Sequence, residues 1–274
     1  NRNIGCFCKK YKTTVKQPDI LQFCNIMKIL IIEDEPSLRE IMSRALREDG
    51  YIVENASTYT EADSKIAGYT YDCILLDIML PDGTRLTLNA CSRVRYPEQF
   101  LAETREVELE GEGFFSVTHD AAHPFVIKTS RMDVRVLGTR FNVKSYSTDE
   151  IIAVEVEEGK VQVDLPEAMM RLKANEQMVC NTSSDVFNKQ RMEHEAATWR
   201  KGFLYFDRTP MSDVVKTLER LYGCRIRLAP DQTFDNLISG EHDNPNLESV
   251  LQSIEFTSGI HYRKEGNDIL LYKD

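Results

Sequence analysis

No stretch of this sequence approaches the roughly 20 consecutive apolar residues that a membrane-crossing helix needs. Its best apolar stretches, at 29–32 and 73–80, have the length of strands. Cysteine is present without a pattern. Seven are scattered at 6, 8, 24, 73, 91, 180 and 224 with no Cys-x-x-Cys pair, so a zinc site is not indicated and mostly free thiols are expected. A basic stripe laced with aromatics is also missing. The net charge is −10, which argues against direct nucleic-acid binding. Residues 1–26 carry five Lys/Arg and one Asp, but no uninterrupted apolar core and no small-residue cleavage site. They do not read as a signal peptide. Met27 reads as a natural start, which leaves 1–26 as a disordered or non-native tail.

What is present suits one or two globular domains: 274 residues, 42% hydrophobic and 28% charged. Residues 27–83 carry 5 basic and 12 acidic side chains. Lys28–Ile32 is a short apolar run ending in Glu33 and Asp34, as in a parallel strand buried on both faces. Leu38, Ile41, Met42, Ala45 and Leu46 recur at helical spacing, and Gly50 stands where that helix should end. A second strand at 51–56, a second helix at 59–67 and a third strand at 71–76 complete a βαβαβ order with right-handed crossovers. Its acids fall at strand ends, where a doubly wound sheet holds its ligand.

Ile-Ile-Glu-Asp-Glu-Pro (31–36) with Leu-Leu-Asp-Ile-Met-Leu-Pro-Asp-Gly (75–83) resembles the response-regulator receiver. The resemblance implies that Asp77 accepts a phosphoryl group from a histidine kinase. It also implies that Glu33, Asp34 and Asp77, with the backbone carbonyl of Met79, hold Mg²⁺ through oxygen. The family also uses a Ser/Thr ending a fourth strand and a Lys ending a fifth, and neither strand is in this sequence. The half that remains is expected to bury little apolar surface and to leave strand three with an unpaired edge.

From Thr84 the pattern changes to alternation. Val107 and Leu109 interleave with glutamates, as do Ile152, Val154 and Val156, with Val161 and Val163 after a Glu157-Glu158-Gly159-Lys160 turn. This predicts an antiparallel sandwich or a β-solenoid-like stack over 84–200. Gly111-Glu112-Gly113 lacks the spacing of a nucleotide loop. His119, Asp120 and His123 precede Pro124 and read as a polar turn rather than a metal cluster. Residues 201–274 predict a small βαββαββ module. Its first helix starts at Thr209-Pro210 with a stripe of Met211, Val214, Val215, Leu218, Leu221 and Tyr222; its second starts at Pro245 or Asn246.

Several stretches in order resemble FecR-like anti-sigma regulators: 82–97 (Asp-Gly-Thr-Arg-Leu-Thr-Leu-Asn-Ala onward), 104–117 (Thr-Arg-Glu-Val-Glu-Leu-Glu-Gly-Glu-Gly-Phe-Phe), 119–127, 136–144 (Val-Leu-Gly-Thr-Arg-Phe-Asn-Val-Lys) and 156–161. Cys91 stands where that family usually has Gly. The final module resembles the C-terminal domain of such proteins from Bacteroidota, which is related to the secretin and TonB short N-terminal domain.

The expected architecture is multi-domain: a tail (1–26), a truncated α/β doubly wound receiver half (27–83), a β-rich FecR-like domain (84–200) and a small α+β domain (201–274). The resemblance implies a non-enzymatic signalling protein with no small-molecule substrate and no nucleic-acid partner. It implies relay of a signal from a TonB-dependent transducer to an extracytoplasmic-function sigma factor, at the periplasm and inner membrane. The sigma-binding segment and membrane helix are not in this sequence, and as written the chain would be cytoplasmic. A phosphorelay protein phosphorylated on Asp77 is the alternative. Leu80-Pro81-Asp82-Gly83 fits both families, so the expected origin is a chimera joined there. The final module is expected to bind the transducer's signalling domain or the chain's own β domain, with Lys216 and Arg220 on its exposed helix side.

Overall fold

The computed structural model describes residues 2–5, 28–33, 36–69, 71, 73–184, 186–243, 245–266 and 268–273. The receiver-like part consists of β2 (Lys28–Ile32), α1 (Pro36–Glu48), β3 (Ile52–Ala56), α2 (Tyr59–Gly68) and β4 (Cys73–Met79), preceded by β1 (Arg2–Gly5). Strand β2 is central and runs parallel to both β3 and β4. Alternate residues of β2 face opposite layers. Leu30 packs with Ala56, Ala62 and Tyr71, and Ile29 and Ile31 with Val53. Thr58 caps α2 by accepting from Glu61 N–H, and the Glu61 carboxylate reaches back to Ser57 N–H. Gly50 ends α1 at φ +91, as its position predicts. One expectation fails on α1: Ile41 is 63% exposed, because its side of the helix meets no other element of this half.

The β-rich part runs β5 (Arg85–Leu88), β6 (Arg93–Tyr96), β7 (Arg105–Ser116), β8 (Phe125–Lys128), β9 (Asp133–Val136), β10 (Arg140–Ser145), β11 (Ile151–Glu158), β12 (Lys160–Asp164), β13 (Met169–Lys173), β14 (Glu176–Asn181) and β15 (Val186–Arg191). It is a two-layered, barrel-like sheet hinged on β7. The first half of β7 pairs with β6 and β8, and the second with β5 and β10. The change of layer falls at Gly111, φ +105, where a Cβ would sit 2.5 Å from Ser92 Oγ. Inward residues of both layers make one core, in which Phe115 stacks on Phe141 at 5.6 Å and tilts against Phe125.

Two expectations at the edges are corrected. Arg2–Gly5, expected in a disordered tail, form an antiparallel strand on β6, whose ladder groups would otherwise face water. The rest of the tail lies outside the described residues. Strand three of the receiver half is not left without a partner at its end. Asp77, Ile78 and Met79 of β4 pair antiparallel with Thr87, Leu86 and Arg85 of β5. The turn between them is Leu80-Pro81-Asp82-Gly83, with Gly83 at φ +81 donating to the Leu80 carbonyl and Leu80 N–H bonded to Thr84. That is the three-residue hairpin with a glycine bulge. A single strand thus belongs to both parts.

A 3₁₀ turn (Thr198–Lys201) leads to the last module: β16 (Phe203–Pro210), α3 (Met211–Tyr222), β17 (Arg225–Leu228), β18 (Leu237–Asp243), α4 (Leu247–Ser258), β19 (His261–Glu265) and β20 (Asp268–Tyr272). Strand β16 pairs with β18, and β17 and β19 flank β20. The stripe of α3 is buried through Met211, Val214, Val215 and Leu218, although Leu221 stays half exposed. Thr209 does not cap α3. Pro210 occupies the cap position and the Thr209 hydroxyl turns back to the Asp207 carbonyl. Asn246 does cap α4, accepting from Ser249 N–H at 2.8 Å.

Candidate functional site

Two of the acids expected to hold a metal, Glu33 and Asp77, fall at one end of the paired β2 and β4. The parallel ladder between β2 and β4 ends at Ile32 opposite Leu76, so positions 33 and 77 follow side by side. The Glu33 side chain is 4% exposed. Its N–H donates to the Ala56 carbonyl at 3.1 Å, and its carbonyl accepts from Arg39 Nη1 at 2.6 Å. Asp34 and the Asp77 side chain lie outside the described residues. Met79 is placed opposite Arg85 in the β4–β5 ladder, with its side chain half exposed. Among the described residues no group of three His, Cys, Asp or Glu is arranged to hold a metal ion.

The hairpin after Met79 has a second use. The Asp82 carboxylate accepts from Thr84 N–H and hydroxyl, and pairs at 2.6 Å with Arg105, which is itself buried. Arg105 also donates to the carbonyls of Thr118 and His123. The seam motif therefore anchors the start of β7. The other sequence candidates resolve as turns. Asp120 accepts from Ala122 N–H, His123 N–H and the His123 ring, which is a polar turn. The Gly-Glu-Gly stretch is the layer change of β7.

The densest set of buried polar groups is elsewhere, between the β part and the module. Asp213 in the first turn of α3 is fully buried, and its two carboxylate oxygens accept from Glu150 N–H at 2.9 Å and Ile151 N–H at 2.8 Å. Asp149, equally buried, takes Arg220 in a two-pronged pair at 2.8 Å and 2.8 Å. The Arg220 guanidinium lies 3.8 Å above the Tyr146 ring, and Lys216 reaches the Thr148 carbonyl. Lys216 and Arg220 were expected on an open recognition surface. Arg220 instead is held in this contact, and Lys216 only partly reaches solvent, because the α3 face opposite its apolar stripe lies on the β part.

Tyr146 continues inward. Its hydroxyl donates to the Ala90 carbonyl at 2.7 Å and meets Ser92 Oγ at 3.1 Å, and Ser92 Oγ accepts from Glu112 N–H at 2.8 Å. The Glu112 carboxylate receives Asn89 at 2.7 Å and Asn142 at 2.9 Å. The Asn142 amide also reaches Glu155 at 3.3 Å, and Glu155 accepts from Ala197 N–H at 2.9 Å. Trp199 Nε1 donates to Asn142 Oδ1 at 3.3 Å. Burial pushes the Glu155 carboxyl above its usual range against the Ala197 N–H, and the nearby Glu112 charge adds to the rise. Burial likewise raises the Tyr146 hydroxyl well above its ordinary value. Sequence patterning missed this set. Asn142, Glu112 and Glu155 stand at outward positions of alternating strands, which read as solvated. The linker at 194–202, folded back over that face, helps cover them: Glu112 and Asn142 are buried and Glu155 partly so.

No helix among the described residues is long and apolar enough to cross a membrane. Family comparisons divide the chain as its strands do. The receiver model, described as response regulator receiver domain, matches residues 29–95. The model described as FecR protein matches 75–162, and that described as FecR, C-terminal, matches 203–271. The two matches at the seam overlap over 75–95, across most of β4, all of β5 and most of β6. Among curated proteins, the transcriptional regulatory protein TcrA of Mycobacterium tuberculosis is 37% identical over 71 residues, or 25% of this chain and 26% of that protein. PmrA of Pectobacterium parmentieri is 31% identical over 145 residues, 52% of this chain and 65% of that protein. The chain thus spans about a quarter of TcrA and just under two thirds of PmrA. A crystal structure of a candidate anti-sigma factor from Parabacteroides distasonis superposes with a TM-score of 0.69 and 48% identity, covering 73% of this chain and 94% of that one. A second crystal structure of a protein so described, from the same organism, gives 0.70. From β4 onward, then, this chain belongs to the FecR family, and it carries the first half of a response-regulator receiver ahead of it.

Proposed function

We propose that this chain is the sensor portion of a FecR-type anti-sigma regulator. It relays a signal from a TonB-dependent transducer to an extracytoplasmic-function sigma factor, by contact and without chemistry of its own. The reading is supported above all by the 48% identity to a candidate anti-sigma factor over 94% of that protein. The module's build agrees with it. Among the described residues β17 and β19 each pair only with β20, so their outer edges are available for strand addition, a mode of recognition that needs no catalytic group. By family the regulator is membrane-associated, and the sensor portion is assigned to the periplasm. The test is titration calorimetry of the full chain against the periplasmic signalling domain of a TonB-dependent transducer from the same organism, with a chelator present. Saturable binding at one site is the expected outcome. Absence of heat at concentrations up to about 100 μM, where a micromolar complex would saturate, overturns the assignment.

A second reading has one observation in its favour, the shared sheet end of positions 33 and 77. In it a histidine kinase phosphorylates Asp77, and Mg²⁺ is held by Glu33, Asp34, Asp77 and the Met79 carbonyl. The metal would supply neutralisation of the phosphoryl charge. Transition-state stabilisers beyond it would have to come from strands four and five of a receiver, which the sequence replaces by the FecR-like part. Rapid stoichiometric labelling of Asp77 by acetyl phosphate would favour this reading over the first.

A further inference from the structure

The β part and the module have separate apolar cores, and neither contains a residue of the other. What joins them is largely polar, at two points, with the Phe114 and Tyr146 rings and the linker's Ala196 and Ala197 buried beside the polar groups. One is the face of α3: Asp213 on the Glu150 and Ile151 N–H groups, and Arg220 on Asp149. The other is the linker ahead of β16. There Ala197 adopts a left-handed φ of +52 while donating to Glu155, and Arg200 stacks 3.4 Å from the Phe114 ring and pairs with Glu157. The two points are not independent. A continuous buried path runs from Arg220 through Tyr146, Ser92 and Glu112 to Asn142 and Glu155, and so to the linker.

We infer that these contacts form a two-point polar lock which opens as a unit, releasing the module from the β part while both keep their cores. Parting two bodies across an apolar seam would expose hydrophobic surface, which opposes opening. Parting them here exposes mostly ions and amides that water can take up, with the Phe114 and Tyr146 rings as the main apolar surface released, and interfaces of this mixed composition permit relative domain motion. Each point also carries a reason to open cooperatively. Removing Arg220 leaves buried Asp149 with the more distant Lys144, at 3.8 Å, in place of its two-pronged partner, and Tyr146 loses the cation on its ring. Removing the linker contact lets Ala197 leave a backbone conformation that L-residues adopt only under constraint. The lock concerns how the chain is held internally, so it stands or falls independently of the partner proposed above.

Residue-resolved hydrogen exchange on the full chain tests it. The Glu150 and Ile151 amides report the first point and the Ala197 amide the second. In the variant Arg220→Met with Asp149→Asn, which removes both charges of the pair and leaves the partly exposed Lys144 as the remaining cation, all three amides should exchange at least about tenfold faster, a change of 1.4 kcal/mol or more in opening free energy. Amides inside β11 (Val154, Val156) and inside α3 (Leu218) should keep their protection. Trp199→Phe, made at the opposite point, should accelerate the same three amides. Acceleration confined to the point that was mutated shows two separate contacts and overturns the lock. Loss of protection at Leu218 as well shows that the pair holds the module's fold, and overturns rigid release. Unchanged exchange at Glu150 and Ile151 overturns the proposal outright.

Discussion

The receiver half and the β-rich part meet on one strand yet bury their residues very differently. Among the described side chains, the half-sheet of β2, β3 and β4 carries one cluster on each face, Leu30 with Ala56, Ala62 and Tyr71 on one and Ile29 and Ile31 with Val53 on the other. Ile41 and Ile52 are left in solvent. The β-rich part gathers its inward residues from both layers into one core around three phenylalanines. The difference follows from sheet type. A parallel sheet must be covered on both faces, so losing strands and their helices strips cover from what remains. An alternating antiparallel sheet needs one buried face, and its second layer supplies it. The hairpin at Leu80–Gly83 lets the first kind end inside the second by making the last residues of β4 the neighbour of β5.

The largest way to break that comparison is in the cores. Phe115→Ala removes a fully buried ring that touches Phe125 and Phe141, and should cost about 3–5 kcal/mol in chemical denaturation. Leu30→Ala, also fully buried, should weaken protection within the receiver half and leave the main transition in place. An equal shift of the main transition by both variants would show one cooperative unit and dissolve the distinction.

Next comes the seam itself. Asp82→Ala strips the counter-charge from Arg105, whose side chain is 5% exposed, and frees Thr84. Breaking such a buried pair should cost about 3 kcal/mol. The loss should appear in the β-rich part, since Arg105 begins β7, and the receiver half should feel it only through β4. A loss confined to the receiver half would assign the motif to the wrong side.

How far the sequence spoke differs between the regions in the same physical way. The apolar run at Lys28–Ile32, the alternation at 105–109 and 151–156, and the stripe of α3 are each the buried face of one element, and they appear in the structure where periodicity puts them. Of the receiver acids, Glu33 follows β2 as expected, whereas Asp77 lies within β4, whose last residues continue into the pairing with β5. Ile41 keeps the helical spacing of its neighbours yet stands 63% exposed, so spacing alone overstated the buried stripe of α1. Arg220 and Glu155 were misread, and Asn142 was passed over, for the converse reason. Their positions look solvated within their own elements, and they are buried only by segments distant in sequence, 71 residues apart for Arg220 and Asp149. Pairing of that range leaves no local period. Cys91 is an intermediate case, where a resemblance flagged a departure that geometry then explains.

That departure gives a smaller prediction. Cys91 is exposed and has φ +57, the left-handed region where a side chain costs about 1–2 kcal/mol. Cys91→Gly removes that strain, and part of the gain is offset by the greater freedom of glycine in the unfolded chain. The expected net effect is a stabilisation of about 0.5–1 kcal/mol in the β-rich part, read as a raised denaturation midpoint. Cys91→Ala, which keeps the Cβ, should give none of it. If Ala stabilises as much as Gly, the thiol rather than the backbone was the source.

The smallest effect separates the two regions by sign. In the receiver half the Glu54 carboxylate is held below its ordinary 4.5 by Lys28 at 2.6 Å and then by the Tyr71 hydroxyl, against the opposing effect of burial. A lowered carboxylate stabilises the native state in full above pH 4.5, and that contribution disappears as pH falls through the lowered value. In the β-rich part Glu155 is raised by burial, with Glu112 adding to it. Between 4.5 and the raised value the native state holds more protons than the unfolded chain, so stability falls as pH rises through that window and is recovered on acidification. Moving from pH 7 towards 5 should therefore strengthen the β-rich part, and moving from about 5 towards 3 should weaken the receiver half. For a partly exposed pair such as Lys28 and Glu54 the effect is expected to be about 1 kcal/mol or less. Trp199, the one tryptophan in the sequence, lies on Asn142 beside Glu155 and reports the first change by fluorescence. Amide exchange along β2 and β3 reports the second. Glu155→Gln should flatten the first slope and leave the second untouched; if both regions instead lose stability together from pH 7 downward, the buried carboxyl is ionised in the native state and the contrast between the two sites is wrong.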